Sequence, residues 1–159
     1  MQRRAEQKAE ELLIQNYQRY YRLAYTYVRS EQDALDVVQE SAYKAIKGSR
    51  NVKQEEYLDT WITRIVINTA TDLLRKRSAT VLADPQTEEW LEPREDTYHD
   101  LDLQEALEAL DANERTTVIL RFFEDRKLEE IAQITEVGVN TVKSRLYRAL
   151  KKLKITMEA

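Results

Sequence analysis

Apolar positions along this chain recur at three- and four-residue intervals and almost nowhere alternate, which predicts helices throughout. From Glu6 to Val28, Leu12, Leu13, Tyr17, Tyr20, Tyr21, Ala24, Tyr27 and Val28 fall at helical spacing, so this stretch reads as one long helix with a Tyr-rich face. Ser30 then precedes Asp33 by three residues, an N-cap with an acidic third position, and "DALDVVQESAYKAIKG" follows as a helix ending near Gly48. At about 100° per residue, Ala34, Val38, Ser41, Ala42 and Ala45 share one face. Asp33, Asp36, Glu40 and Tyr43 share the other, which reads as an exposed carboxylate patch.

After the polar loop "GSRNVKQEE", a third helix, "YLDTWITRIVINTATDLLRKR", places Trp61, Ile62, Ile65, Val66, Thr69 and Leu73 on one face and Arg64, Asn68, Thr71 and Arg75 opposite. Residues 78–100 show no sustained period and contain both prolines, so they read as an extended linker with Trp90 as a local anchor. Leu101, Leu103, Leu107 and Leu110 suit a short helix, and Asp111 with Glu114 forms a second capping pair before "TTVILRFFED". Then come "LEEIAQIT", the short "EVGV", and a basic helix, "NTVKSRLYRALKKL". A short helix, a tight turn and a longer basic helix make the helix-turn-helix pattern.

Charge sharpens this division. The net charge of −4 resolves into +3 over residues 1–77, −10 over 78–112 and +3 over 113–159. Two mildly basic helical blocks flanking an acid-rich, proline-containing stretch imply an all-α chain of two small helical domains, residues 1–77 and 101–159, joined by an acidic flexible linker at 78–100. That linker reads as a solvated tether. With no Cys and the single His99, thiolate metal sites, disulfides and Cys- or His-centred catalysis are excluded. No metal, cofactor, small-molecule substrate or enzymatic activity is expected. No run of eighteen apolar residues and no signal-peptide core is present, so the expected location is the cytoplasm.

The basic helix could be a solvated face, a membrane-surface helix or a DNA reader. Its apolar stripe of Val142, Leu146, Ala149, Leu150 and Leu153 is only as wide as its own domain needs, which argues against lipid. Asn140, Thr141 and Ser144 offer short polar side chains at the end that meets base edges, and the cations beyond can reach phosphates. With "LEEIAQIT" ahead of it, DNA binding is the favoured reading.

At these residues the chain resembles a known family. "LEEIAQITEVGVNTVKSRLYRALKKL" looks like region four of bacterial sigma-70-family factors, "DALDVVQESAYKAI" resembles the region-two helix that docks on the RNA polymerase clamp, and "YLDTWITRIVINTATDLLRKR" resembles the adjacent helix that engages the minus-ten promoter element. Two such domains without an intervening third resemble the extracytoplasmic-function (ECF) sigma factors. The resemblance implies a transcription initiation factor that binds core RNA polymerase and promoter DNA and promotes strand opening by capturing an unstacked base, for an envelope-stress regulon. It implies clamp contacts at Asp33, Asp36, Gln39 and Glu40, minus-ten contacts at Arg64, Asn68, Thr71 and Arg75, and minus-thirty-five contacts at Asn140, Thr141, Lys143, Ser144, Arg145 and Arg148. It matches the loop from Gly48 to Glu56 to a pocket for the flipped base. It also implies an anti-sigma partner, often membrane-bound, and gives the acidic linker a second reading, a mimic of nucleic acid inside the polymerase channel. Trp61 and Tyr57 are candidate stacking platforms, with Trp61 better read as core.

Three departures from the family pattern concern the helix-turn-helix, one of them Thr135 in place of a customary apolar residue. Glu136 stands where the turn usually has a left-handed glycine, at a cost of about 1 kcal/mol. Lys127 stands where the first helix is usually capped by Ser or Thr, a loss of about 1 kcal/mol. Two other functions fit part of the pattern: a stand-alone helix-turn-helix regulator, which binds duplex DNA unaided, and a purely structural helical adaptor.

Overall fold

The computed structural model describes the backbone of residues 2–83 and 98–158 and the side chains of residues 4–78 and 103–154. Pro85, Trp90, Pro93 and most of the acidic stretch lie outside the described residues, as does the side chain of His99. The chain divides into two compact units, Met1–Ala83 and Asp84–Ala159. Among the described residues no helix is long and apolar enough to cross a membrane.

The first unit is built from α1 (Gln2–Gln15), α2 (Tyr17–Val28), α3 (Glu31–Gly48) and α4 (Leu58–Ala83), with single 3-10 turns at Ser49–Asn51 and Glu55–Tyr57. The long first helix expected from periodicity is two helices, broken at Asn16, whose φ of −112° and ψ of 20° leave the helical region. An Asn side chain competes for nearby backbone groups, and here its Nδ2 donates to the Leu12 carbonyl at 3.3 Å. The break lets Ala9 and Leu13 of α1 and Tyr20, Leu23 and Tyr27 of α2 all be buried. α2 ends at Arg29, a left-handed residue whose N–H donates to the Tyr25 carbonyl at 2.8 Å. α3 starts where the sequence predicts, with Ser30 Oγ accepting from the Asp33 N–H at 3.3 Å.

α2, α3 and α4 pack on one another, and α1 packs on α3 and the first 3-10 turn. Because α2 and α3 both lie on α4, its buried arc is broader than one stripe: Ile62, Thr63, Val66, Ile67, Thr69 and Ala70 are all buried. Trp61, Ile65 and Leu73 are only half-buried. Tyr20 is fully buried and donates its hydroxyl to Asp59 Oδ1 at 2.6 Å, and Arg19 pairs with the same carboxylate. Burial first, then the Asp59 carboxylate, pushes the Tyr20 phenol above the ordinary tyrosine range.

α4 continues six residues beyond the boundary expected at residue 77, and α5 begins ahead of the boundary expected at 101. "SATVLA" contains no helix breaker, and the first proline of the chain is Pro85. The second unit holds α5 (Tyr98–Glu108), α6 (Ala112–Val118), a π-helical turn (Ile119–Phe123), α7 (Leu128–Thr135) and α8 (Val139–Glu158). Its core joins Ala106, Leu107 and Leu110 to Val118, Ala149 and Leu153. No glycine ends α5. The Arg115 guanidinium instead reaches back to the carbonyls of Leu107, Glu108 and Leu110 at 3.0, 3.2 and 3.4 Å.

Candidate nucleic-acid and partner interfaces

α7, the turn and α8 form the helix-turn-helix. Glu136 takes the left-handed conformation, φ 59° and ψ 40°, and the N–H groups of Glu136 and Val137 both bond to the Ala132 carbonyl. Gly138 does not supply the positive φ, and a Cβ there would meet nothing within 4 Å. The start of α7 is half-capped. A lysine side chain has no acceptor for the third helical N–H, but the Glu130 carboxylate accepts from the Lys127 N–H at 3.3 Å and from Arg126 Nη1 at 3.1 Å.

α8 buries Val142, Ala149 and Leu153, half-buries Leu146, and leaves Leu150 exposed. Leu150 was expected in the stripe, but it sits about 70° from the centre of the other four, past the reach of α6 and α7. Asn140, Thr141, Lys143, Ser144 and Arg148 are exposed and Arg145 is half-buried, so the residues expected at the minus-thirty-five element line the outer side of one helix. Tyr147, 71% exposed between Ser144 and Lys151, was not among the expected contacts; an aromatic ring inside a basic face was the available signal.

Two cations of α8 are not independent of the fold. Glu114, at α6, is 1% exposed, and its Oε1 accepts from Lys152 Nζ at 2.7 Å and from the Asp111 N–H at 3.1 Å. Its Oε2 lies 3.7 Å from Arg148 Nε. The Asp111 carboxylate in turn accepts from the Glu114 N–H at 2.8 Å, so the predicted capping pair is a reciprocal box. The same carboxylate that caps α6 thereby orients Arg148 and Lys152 on α8.

In the first unit, Asp36, Gln39, Glu40 and Tyr43 are exposed on α3. Asp33 is not: it is 7% exposed, and both its oxygens are held by the Arg77 guanidinium from α4. The expectation of Asp33 as a partner contact is therefore corrected, because its carboxylate is consumed inside the unit. The hydrogen-bonded Asp33 carboxylate raises the Arg77 pKa above the ordinary range. The α3 face is also less purely acidic than its pattern suggested. Lys44 lies 3.3 Å from Glu40, and Lys47 sits over the Tyr43 ring at 5.7 Å from its centroid.

On α4, Asn68 and Arg75 are exposed and Arg64 and Thr71 half-buried. Thr71 Oγ1 donates to the Asn68 carbonyl at 3.1 Å, and Arg75 pairs with Asp72. Arg64 stacks over Tyr57 at 5.6 Å from the ring centroid and donates to its hydroxyl, so this cation is coupled to the end of the loop between α3 and α4. A second feature, unassigned by the sequence, is a ladder of exposed or half-exposed tyrosines on α2, with Tyr17–Tyr21 and Tyr21–Tyr25 centroids 6.4 and 6.3 Å apart.

Comparison with known proteins places both units in one family. Residues 12–80 match the Sigma-70 region 2 model, and residues 100–153 match the model named Sigma-70, region 4. The chain is 49% identical over 141 residues to the RNA polymerase sigma factor SigV of Bacillus subtilis, covering 88% of this chain and 85% of that protein. It is 30% identical to the ECF RNA polymerase sigma-E factor of Haemophilus influenzae, covering 91% of this chain and 85% of the relative. Its fold is similar to that of the sigma factor RpoE of Bartonella quintana, solved in complex with the anti-sigma factor NepR, with a TM-score of 0.71, 24% identity, and coverage of 94% and 96% of the two chains.

Proposed function

Because the chain belongs to the sigma-70 family, as a transcription initiation factor of its extracytoplasmic-function group, we propose that its two units divide promoter recognition between them. The unit ending at Ala83 serves as region two and the α5–α8 unit as region four. In this reading Asp36, Gln39 and Glu40 of α3 meet the polymerase clamp, where exposed carboxylates suit a basic partner surface. Arg64, Asn68, Thr71 and Arg75 of α4 meet the minus-ten strand, and the Gly48–Glu56 loop receives the base that leaves the stack. Asn140, Thr141, Lys143, Ser144 and Arg145 read the minus-thirty-five duplex, and Arg148 binds backbone phosphate.

The observation that carries this reading is the helix-turn-helix itself. α8 presents its short polar side chains at the N-terminal end and its cations behind them, on a helix anchored by Val142, Ala149 and Leu153. The mechanism involves no bond chemistry. Binding to one unpaired base offsets the few kcal/mol needed to unstack it, and polymerase holds the opened strands.

The chain works on the cytoplasmic side, where promoter DNA and polymerase are, and is held inactive there by an anti-sigma factor until an envelope stress releases it. The Bartonella complex supports the existence of such a partner class for a protein of this fold. The test is transcription by core polymerase plus this chain on genomic templates, with strand opening probed on both strands. Promoter-dependent stimulation is expected, and none on any template refutes the reading. High-affinity duplex binding without polymerase favours a stand-alone regulator instead. A pull-down before and after envelope stress checks for the anti-sigma partner.

A further inference from the structure

The segment joining α3 to α4 is held from three sides, two of them within its own neighbourhood. At its start, a Cβ on Gly48 would lie 3.1 Å from the Trp61 ring, and the buried Ser49 donates its hydroxyl to the Ile46 carbonyl at 2.8 Å. At its end, Tyr57 lies under Arg64. The third tie comes from a different element. Glu55 pairs with Lys8 of α1, a lysine whose side chain is only 28% exposed, and the Lys8 hydrogen bond draws the Glu55 carboxyl below the ordinary glutamate range, with the Arg4 charge acting in the same direction.

α1 is firmly placed to make this tie. Ala9 and Leu13 anchor it in the core, and the helix packs on α3 and on the 3-10 turn Ser49–Asn51 at the other end of the same loop. Between the two 3-10 turns only Val52, Lys53 and Gln54 connect, and of these Lys53 and Gln54 are exposed. The position of that short arc is therefore set by what holds Asn51 and Glu55. Most of α1 precedes the segment that matches the family model, residues 12–80.

We propose that α1 is a clasp on this loop and that Lys8, through Glu55, is a positioning residue that sets where the Val52–Gln54 arc stands relative to the captured minus-ten base. The proposal rests on the reading of the loop as the base pocket. Lys8 itself touches neither DNA nor polymerase; it acts by selecting one position of the arc, so its loss shows in base preference before it shows in stability.

The experiment uses holoenzyme reconstituted from core polymerase and the full chain, with promoters randomised across the minus-ten element. Lys8→Glu is expected to lower open-complex formation on the preferred promoter about two- to five-fold, the range an exposed ion pair supports, and to flatten preference at the captured base. Core binding and minus-thirty-five duplex binding stay unchanged. Lys8→Arg retains the wild-type preference, and the charge-swapped Lys8→Glu with Glu55→Lys restores it. Unchanged preference in Lys8→Glu overturns the clasp, as does failure of the swap to restore it. Gln54→Ala separates the two ideas. If it alters the preference while Lys8→Glu does not, the clasp falls and the loop reading stands; if neither alters it, the loop reading falls and the clasp with it.

Discussion

Replacing Glu114 tests the link between the stability of the helix-turn-helix unit and its DNA-facing charge. The carboxylate is 1% exposed and serves three groups: the Asp111 N–H at 3.1 Å, the Lys152 ammonium at 2.7 Å and the Arg148 guanidinium at 3.7 Å. Truncation to Ala removes one arm of the capping box, worth about 1 kcal/mol. It also removes a charge-assisted hydrogen bond, worth about 1.5–3 kcal/mol. Against this, the buried carboxylate no longer bears its own desolvation, and both cations can retreat to water because their side chains are about half exposed. The balance is a loss of about 2–3 kcal/mol for Glu114→Ala. Glu114→Gln keeps the shape and an acceptor for Asp111 and costs about 1 kcal/mol.

For a unit of this size each kcal/mol lowers the midpoint by about 4–8 °C, so Glu114→Ala falls by more than about 8 °C. Hydrogen exchange of the α6–α8 amides in the full chain isolates this unit from the other. The coupling between Glu114→Gln and Lys152→Met, taken from the double-mutant cycle, is about 1 kcal/mol or more. DNA binding moves in the opposite direction: releasing Lys152 from the internal anion makes the log-log salt dependence steeper, by about 0.9 for the additional phosphate it neutralises. A coupling near zero, or an unchanged salt slope in Glu114→Gln, refutes the argument that this carboxylate holds the α8 cations.

Three further outcomes follow from the backbone and the ion pairs. Glu136→Gly relieves a non-glycine left-handed residue and raises the stability of the α5–α8 unit by about 1 kcal/mol, read by the same amide exchange; a loss would mean that the Glu136 side chain does more for the fold than its backbone strain costs. Asp33→Asn destabilises the first unit by about 1–3 kcal/mol through loss of the Arg77 pair, read as a lower melting temperature, yet leaves core-polymerase affinity intact once folded, whereas Glu40→Lys weakens core binding without a change in melting; the reverse pattern restores Asp33 as a contact. The Glu55 carboxyl, followed by NMR, titrates below the ordinary glutamate range. Since its folded value is depressed, the Lys8 pair contributes fully above the unfolded value and is lost as pH falls through the folded one; Lys8→Ala returns the midpoint to the ordinary range.

The local punctuation of the chain was legible where caps are short-range. Ser30 bonds to a residue three ahead, and Asp111 and Glu114 satisfy each other across one turn, whereas the left-handed residue at Glu136 was suggested only by the family pattern, and the turn itself was not legible. The break at Asn16 was not legible from the apolar spacing, since it is made at one polar residue, through its φ of −112° and ψ of 20°, and leaves no gap in the apolar pattern. The run of α4 past residue 77 was missed for a different cause: a drop in apolar periodicity, as at "SATVLA", does not by itself end helical backbone, which here continues to Ala83.

By itself, the sequence determined that the chain is helical, where most helices begin, which residues share a face, and, through three motifs in order, the family to which it belongs. Only the tertiary structure decided which charges face outward. Asp33 and Asp36 lie on one helix three residues apart, but Asp33 is buried and hydrogen-bonded by an arginine 44 residues away, whereas Asp36 stays exposed. Glu114 reads as an ordinary cap until Lys152, 38 residues on, is seen to close over it. Periodicity is a property of one helix, whereas the solvation of a charge depends on which other helix packs over it. That partner is chosen by the assembled core.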